Sequence, residues 1–320
     1  MTMYLDHFGL TEAPFRITPH TDFFFDGAKR GATLEALLYA VTNDEGIVRV
    51  TGEVGTGKTM LCRVLMERLP ANVTTIYIAS PSLDPDQLLR AIVSDIGLPS
   101  GANHSARGLT LLLQEYLIRL YAAGKRVVVL IDEAHAMPQE SLEEVRLLSN
   151  LESNRHKLLQ LVLFGQSELD EILSLHAMRP LRERITQSFH LEPLHSPDID
   201  AYVAFRMKQA GQRGRSPFEP VAVKLLAKHS VGLTRRVNIL ADKALLAAFA
   251  DGSEVVKAKH AQAAVNDAAF EPVRGTSPLG WVRDGMPTRW LVASIVVALV
   301  AIGTGIALGM WISHLPRAVG

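Results

Sequence analysis

Cysteine is nearly missing from this chain of 320 residues, occurring once, at Cys62. A single thiol closes no intramolecular disulfide and furnishes no cysteine-rich zinc site. An excess of either charge is missing too, because 33 Lys and Arg face 33 Asp and Glu, for a net charge of +0. That balance argues against a polybasic nucleic-acid binder and leaves room only for a local basic patch. The opening Met1-Thr-Met-Tyr-Leu-Asp6 lacks the basic start and apolar run of a cleavable signal. The expectation is a chain whose bulk stays in a reducing cytoplasm. What is plentiful is apolar side chain, 48% of all residues, so wholesale disorder is excluded and a sizeable core is expected.

Charge is missing most completely between Trp290 and Ile312, where no Asp, Glu, Lys or Arg occurs and eleven residues are Leu, Ile or Val. As a helix rising about 1.5 Å per residue, the stretch reaches roughly 34 Å, enough for a hydrocarbon core of about 30 Å. Trp290 and Trp311 fall where interfacial aromatics sit, while Arg274, Arg283 and Arg289 precede the stretch and only Arg317 follows. The positive-inside rule then predicts one transmembrane helix over 290–312, with the large N-terminal part cytoplasmic and 313–320 a short external tail. Gly305 and Gly309 are spaced for a close helix–helix contact, which is left open.

Elsewhere, residues 1–30 hold Phe8, Phe15, Phe23, Phe24 and Phe25, with Pro14 and Pro19 predicting an extended arm. Helical and strand-like patterns then alternate. Strands are predicted at 47–51, 73–79, 126–131, 158–164 and 186–191, separated by helices at 33–43, 58–69, 86–96, 109–122, 140–151 and 168–173. This alternation implies βαβ units and a mainly parallel sheet buried on both faces. After His195 only helical patterns remain, at 199–210, 220–228, 235–250 and 258–269. The predicted division is an arm (1–30), an α/β core (31–194), a small helical domain (195–270) and a linker (271–289) leading to the membrane segment.

The chemistry begins after the first strand. Gly52-Glu53-Val54-Gly55-Thr56-Gly57-Lys58-Thr59 fits G-x-x-x-x-G-K-[ST], a loop whose amides wrap phosphates ahead of a helix N-terminus. Lys58 is expected to reach the β- and γ-phosphates and the Thr59 hydroxyl to bind Mg²⁺. The apolar Val127-Val-Val-Leu-Ile131 runs into Asp132-Glu133, two carboxylates at the carboxyl end of a buried strand. Asp132 is expected to hold Mg²⁺ through a water, and Glu133 to polarise the water that attacks the γ-phosphate. No N-K-x-D sequence occurs, which disfavours GTP and leaves ATP.

Gly52–Thr59, Asp132-Glu-Ala-His135 and Gly232-Leu-Thr-Arg235-Arg-Val-Asn238 together resemble the AAA+ ATPases. The opening Tyr4-Leu-Asp-His-Phe-Gly-Leu-Thr-Glu-Ala-Pro14-Phe15 is similar to the ExeA/GspA-type secretion ATPases. Asn150-Leu-Glu-Ser-Asn and Lys157-Leu-Leu-Gln-Leu-Val-Leu-Phe-Gly-Gln166 resemble most their MSHA pilus-biogenesis branch. The resemblance covers about residues 1–270. It implies an α/β fold of P-loop NTPase type, with a five-stranded parallel core and the helical domain as a lid. It also implies an oligomer with ATP at subunit boundaries, a place at the bacterial inner membrane, and inner-membrane secretion or pilus assembly proteins as partners. Gln166 resembles the sensor beside the γ-phosphate, and Arg184 the arginine finger offered to a neighbour, with Arg179 and Arg182 as rivals. Arg235 resembles the lid's sensor arginine, with Arg236 as the alternative, since Thr234 stands where the family usually has Pro. Phe8 and Phe15 either flank the adenine or pack within the arm. His135 either couples Glu133 to a partner surface or supports it by a hydrogen bond, and Cys62 reads as core filler. Members of this family can carry a peptidoglycan-binding domain after the membrane helix; 313–320 is too short for one. No nucleic acid is expected. Two other readings are a DNA-transaction ATPase and an ATP-switched binding module with little turnover.

Overall fold

A computed structural model describes residues 4–43, 46–79, 82–101, 105–153, 156–268 and 270. Five strands and six of the helices build the core: α1 (Arg30–Asn43), β1 (Ile47–Thr51), α2 (Lys58–Arg68), β2 (Val73–Ile78), α3 (Pro85–Asp95), α4 (Ala106–Ala122), β3 (Arg126–Ile131), α5 (Gln139–Leu148), β4 (Leu159–Gly165), α6 (Ser167–Ser174) and β5. A single turn, α7 (Arg179–Arg182), leads into β5 (Ile185–His190). Every strand pairing is parallel and the order across the sheet is β2-β3-β4-β1-β5.

The alternation of side chains across the strands explains the continuous apolar runs. Val127, Val129 and Ile131 of β3 and Leu159, Leu161 and Leu163 of β4 face α3–α6. Val128 and Leu130, with Val162 and Phe164, face α1 and α2 on the other side. Successive strand residues point to opposite faces, so a strand covered on both sides must be apolar throughout. All seven residues of β4 are buried. α2 closes its side by burying Leu61, Cys62 and Leu65 at consecutive helical turns. Cys62 is thus the core filler that the sequence suggests, and burial pushes its thiol pKa up.

Beyond β5 the chain is helical: α8 (Ser196–Gln209), α9 (Pro220–Ser230), α10 (Thr234–Ala250) and α11 (Ala258–Asp267). α10 carries their common core, burying Val237, Leu240, Ala241, Ala244, Leu245 and Ala248. These helices pack with the sheet into one compact unit.

The arm departs from the extended form predicted for it. Residues 4–9 coil, with Phe8 N donating to Tyr4 O (3.2 Å) and Leu10 N to Leu5 O (2.9 Å). Pro14 and Pro19 lie past this coil and so cannot oppose it. A 3-10 turn, Thr21–Phe23, follows. The arm lies on the helical domain: Tyr4 hydrogen-bonds Asp242, Thr11 N donates to Ala210 O (2.8 Å), and Phe15 meets Phe218 edge-on at 5.9 Å.

The segments 271–289, 290–312 and 313–320, read from sequence as linker, transmembrane helix and tail, lie outside the described residues. Among the described residues no helix is long and apolar enough to cross a membrane.

Candidate functional site

The loops that follow β1, β3 and β4 all leave the carboxyl edge of the sheet, where ligands of doubly wound sheets sit. The phosphate-loop sequence occupies the first of them. Gly55 (φ +81°) and Gly57 (φ +103°) take left-handed backbone, which lets the loop curl tightly before α2 begins at Lys58. Thr56 is fully buried and its hydroxyl donates back to Glu53 O at 2.9 Å. The Lys58 ammonium donates to Gly52 O (2.8 Å) and Glu53 O (3.0 Å) inside the loop. Burial lowers its pKa, while the nearby carboxylates Glu133, Asp132, Glu53 and Glu168 act the other way. Burial wins. A cation so placed gains most when an anion arrives beside it.

The second loop carries the carboxylates. Asp132 is buried, and Asp132 N extends the ladder beyond β3 by donating to Ile78 O at 2.9 Å. Its Oδ1 accepts from Glu133 N (2.9 Å) and its Oδ2 from the Tyr77 hydroxyl (3.2 Å). Glu133 has left-handed backbone, φ 53° and ψ 35°, which turns the chain sharply off the strand. The third loop meets it there: Gln166 Nε2 donates to Glu133 Oε2 at 3.2 Å, and Gln166 N donates to His135 Nδ1 at 3.4 Å. His135 Nδ1 also lies 3.5 Å from Glu133 Oε2.

The helical domain closes over the phosphate loop. The Thr234 hydroxyl donates to Gly55 O at 2.7 Å, and Arg235 N donates to the same oxygen at 3.1 Å. Between loop, arm and lid lies a cavity of about 420 Å³. Val54 to Met60, Glu133, Gln166, Thr234 and Arg235 line it, so most of the predicted site residues converge. Arg235 reaches this cavity and Arg236 does not.

Arg184 does not join them in its own chain. It precedes β5, and its carbonyl accepts from Ile47 N, the first residue of β1, so it sits at the amino edge of the sheet. Its rivals are engaged: Arg179 pairs with Glu183 at 2.7 Å, and Arg182 donates to Leu173 O (3.2 Å) and Ser174 O (3.3 Å). Among the described residues Arg184 makes no side-chain hydrogen bond or ion pair.

Phe8 and Phe15 do not line the cavity either. Phe8 packs edge-on against His7 at 4.7 Å, inside the arm, and Phe15 on Phe218 of the helical domain, which leaves packing of the arm as their part. The aromatic wall comes from Phe23, Phe24 and Phe25, beside Pro19 and Tyr202. Sequence reasoning also missed two buried arginines. The Arg30 guanidinium donates to Thr56 O (2.7 Å) and, more weakly, to Glu192 O (3.4 Å); Arg206 stacks over the Phe23 ring at 4.5 Å. Neither has a carboxylate within 4.0 Å among the described residues, and burial lowers the pKa of both. No motif flags them. Arg30 touches the phosphate loop at Thr56 O, while Arg206 donates to the arm at Pro14 O (2.5 Å) and Arg16 O (3.2 Å).

Thr59 and Asp132 supply a hydroxyl and a carboxylate, oxygen donors of the kind Mg²⁺ prefers. Among the described residues no group of three or more His, Cys, Asp or Glu could hold a metal by itself. The donor set fits an ion that keeps several waters and takes the rest of its ligands from phosphate.

Residues 41–173 match the family described as AAA domain. Along most of its length the chain is similar to General secretion pathway protein A of Aeromonas hydrophila, 41% identical over 301 residues. The match covers 94% of this chain and 53% of that protein, so the chain spans about half the length of its relative. Among solved structures it resembles the Aeropyrum pernix ORC2 protein in ADPNP–ADP complexes, at a TM-score of 0.61 and 19% identity over 80% of this chain and 73% of that one. It also resembles the Aeropyrum pernix ORC1 protein in complex with DNA, at 0.59 and 20% identity over 78% and 69% of the two chains. At such identities these two show the fold alone. The core thus has the parallel-sheet fold of these structures, and residues 41–173 of it match an AAA domain.

Proposed function

We propose that the chain binds ATP with Mg²⁺ in the cavity between phosphate loop and lid and hydrolyses it to work on a secretion or type IV, MSHA-like pilus assembly. The observation that carries the chemical half is the meeting of Lys58, Glu133, Gln166 and Arg235 around one cavity of about 420 Å³. Phosphoryl transfer asks a protein mainly for positioning and charge. The amides of Gly52–Thr59 and the Lys58 ammonium hold the phosphates, and Phe23–Phe25 offer the apolar wall that a base requires. Glu133 orients a water and takes its proton as the water oxygen bonds to the γ-phosphorus and the bond to ADP breaks. Gln166 holds the Glu133 carboxylate, and Arg235 lies where lid and phosphates meet. Mg²⁺, held by Thr59 and through water by Asp132, would neutralise charge on the β- and γ-oxygens. Arg184 acts in trans, on the ATP of a neighbouring subunit.

The biological half rests on similarity to a general secretion pathway protein and on the sequence of 290–312. That uncharged stretch would anchor the ATPase in the bacterial inner membrane with its catalytic part cytoplasmic, beside the machine it serves. The branch serving MSHA-like pili is preferred on 150–154 and 157–166.

Lys58→Ala and Glu133→Gln test the chemistry. The first should abolish saturable ATP binding in an equilibrium titration. The second should bind ATP and hydrolyse it roughly 10²–10⁴-fold more slowly, the range for one general base. Normal turnover by Glu133→Gln would overturn its role. A DNA-transaction ATPase is the second reading, favoured by fold likeness to a protein solved with DNA. A large, salt-sensitive rise in ATPase rate on adding DNA would select it.

A further inference from the structure

Asp132 is held from the neighbouring strand as well as from its own loop. β2 pairs with β3 so that Tyr77 stands opposite Leu130 and Ile78 opposite Ile131. Tyr77 packs, with Val128 and Leu130, into the apolar layer that includes Leu61, Cys62 and Leu65 of α2. Asp132 follows Leu130 by two, the period that keeps strand side chains on one face. The first turn of α2 carries Thr59. The Tyr77 hydroxyl therefore reaches Asp132 on the same side of the sheet as the other expected metal ligand.

Among the described residues each oxygen of Asp132 has one donor, Glu133 N at 2.9 Å for Oδ1 and the Tyr77 hydroxyl at 3.2 Å for Oδ2. An ionised carboxylate oxygen accepts more than one hydrogen bond, so both remain open to a metal-bound water. The phenol carries one O–H, which it donates to Oδ2 across the strand pair. With Glu133 N alone, the carboxylate would be tethered by one oxygen and free to rotate. We propose that Tyr77 is a positioning residue for the magnesium site, fixing the carboxylate of Asp132 toward the metal's water. The inference rests on the assignment of Asp132 to the metal in the proposed function.

Tyr77→Phe removes the hydroxyl and keeps the ring, and Tyr77→Leu removes both. The measurement is Mn²⁺ affinity of the full chain loaded with ADP, by electron paramagnetic resonance, beside ADP affinity without metal. Loss of an outer hydrogen-bond partner of a metal ligand typically weakens metal binding about 10–100-fold. Both variants should bind Mn²⁺ at least about 10-fold more weakly while metal-free ADP affinity stays unchanged. In Tyr77→Phe the Mg²⁺ concentration for half-maximal turnover should rise by a similar factor, with turnover restored at high Mg²⁺. Wild-type Mn²⁺ affinity in Tyr77→Phe overturns the proposal. Weakened metal-free ADP binding in both variants also overturns it, because the residue would then serve the phosphate loop's packing. If the unaltered chain binds no Mn²⁺ with ADP, the assignment of Asp132 itself falls.

Discussion

Glu133 combines two demands that oppose one another. Its left-handed backbone turns the chain off the buried end of β3 and brings its carboxylate to Gln166. For a residue other than glycine or asparagine that conformation costs about 1–2 kcal/mol. Stability is thus given up at the carboxylate proposed to orient the attacking water. Glu133→Asn, which tolerates this backbone, should melt no lower than the wild type in calorimetry although hydrolysis falls. A melting temperature several degrees lower would show that the carboxylate's contacts outweigh the strain. Lys58, Asp132 and Glu133 were legible in the sequence because each belongs to a local string whose spacing the chemistry demands. Arg30 and Tyr77 were not. Their partners, Thr56 and Asp132, lie 26 and 55 residues away, and no spacing rule connects them.

Among the elements, the strands were the most legible. β1 and β3 occupy the predicted ranges, since an apolar run between turn residues has few other readings. Helix ends moved more: α1 begins at Arg30, where Thr33 was expected, and α5 ends at Leu148, where Leu151 was expected. In α5 the chain leaves the helix for the bridge between Glu152 and Lys157, a contact no helical period announces. The junction of α10 with the phosphate loop was equally silent. The Thr234 hydroxyl adds a second donor to Gly55 O. Thr234→Val should cost about 0.5–1.5 kcal/mol, the worth of one such bond, read from a denaturation midpoint. An unchanged midpoint would mean that Arg235 N alone holds the junction.

For the whole molecule, the residues gathered at the cavity leave one assignment to a second subunit. Arg184 lies at the amino edge of the sheet while the phosphate loop opens at the carboxyl edge. If it acts in trans, Arg184→Ala should lose turnover alone and regain part of it when mixed with Lys58→Ala, which keeps the arginine and lacks the nucleotide site. No recovery at any mixing ratio would remove Arg184 from catalysis in trans. Removing 271–320 should release the chain from membranes in a flotation assay with ATP affinity unchanged. A fragment that still floats with lipid would place the anchor elsewhere.

One carbonyl, that of Gly55, receives both Thr234 and Arg235 from a helix 179 residues further along the chain. In this closed arrangement the lid is bolted to the loop that must curl around the phosphates. A swing of the lid that widened the entrance would first have to unfasten this carbonyl. Under the proposed function, exchange of nucleotide would be linked to this small latch, and a partner that pulled on α10 would act on it without touching the nucleotide.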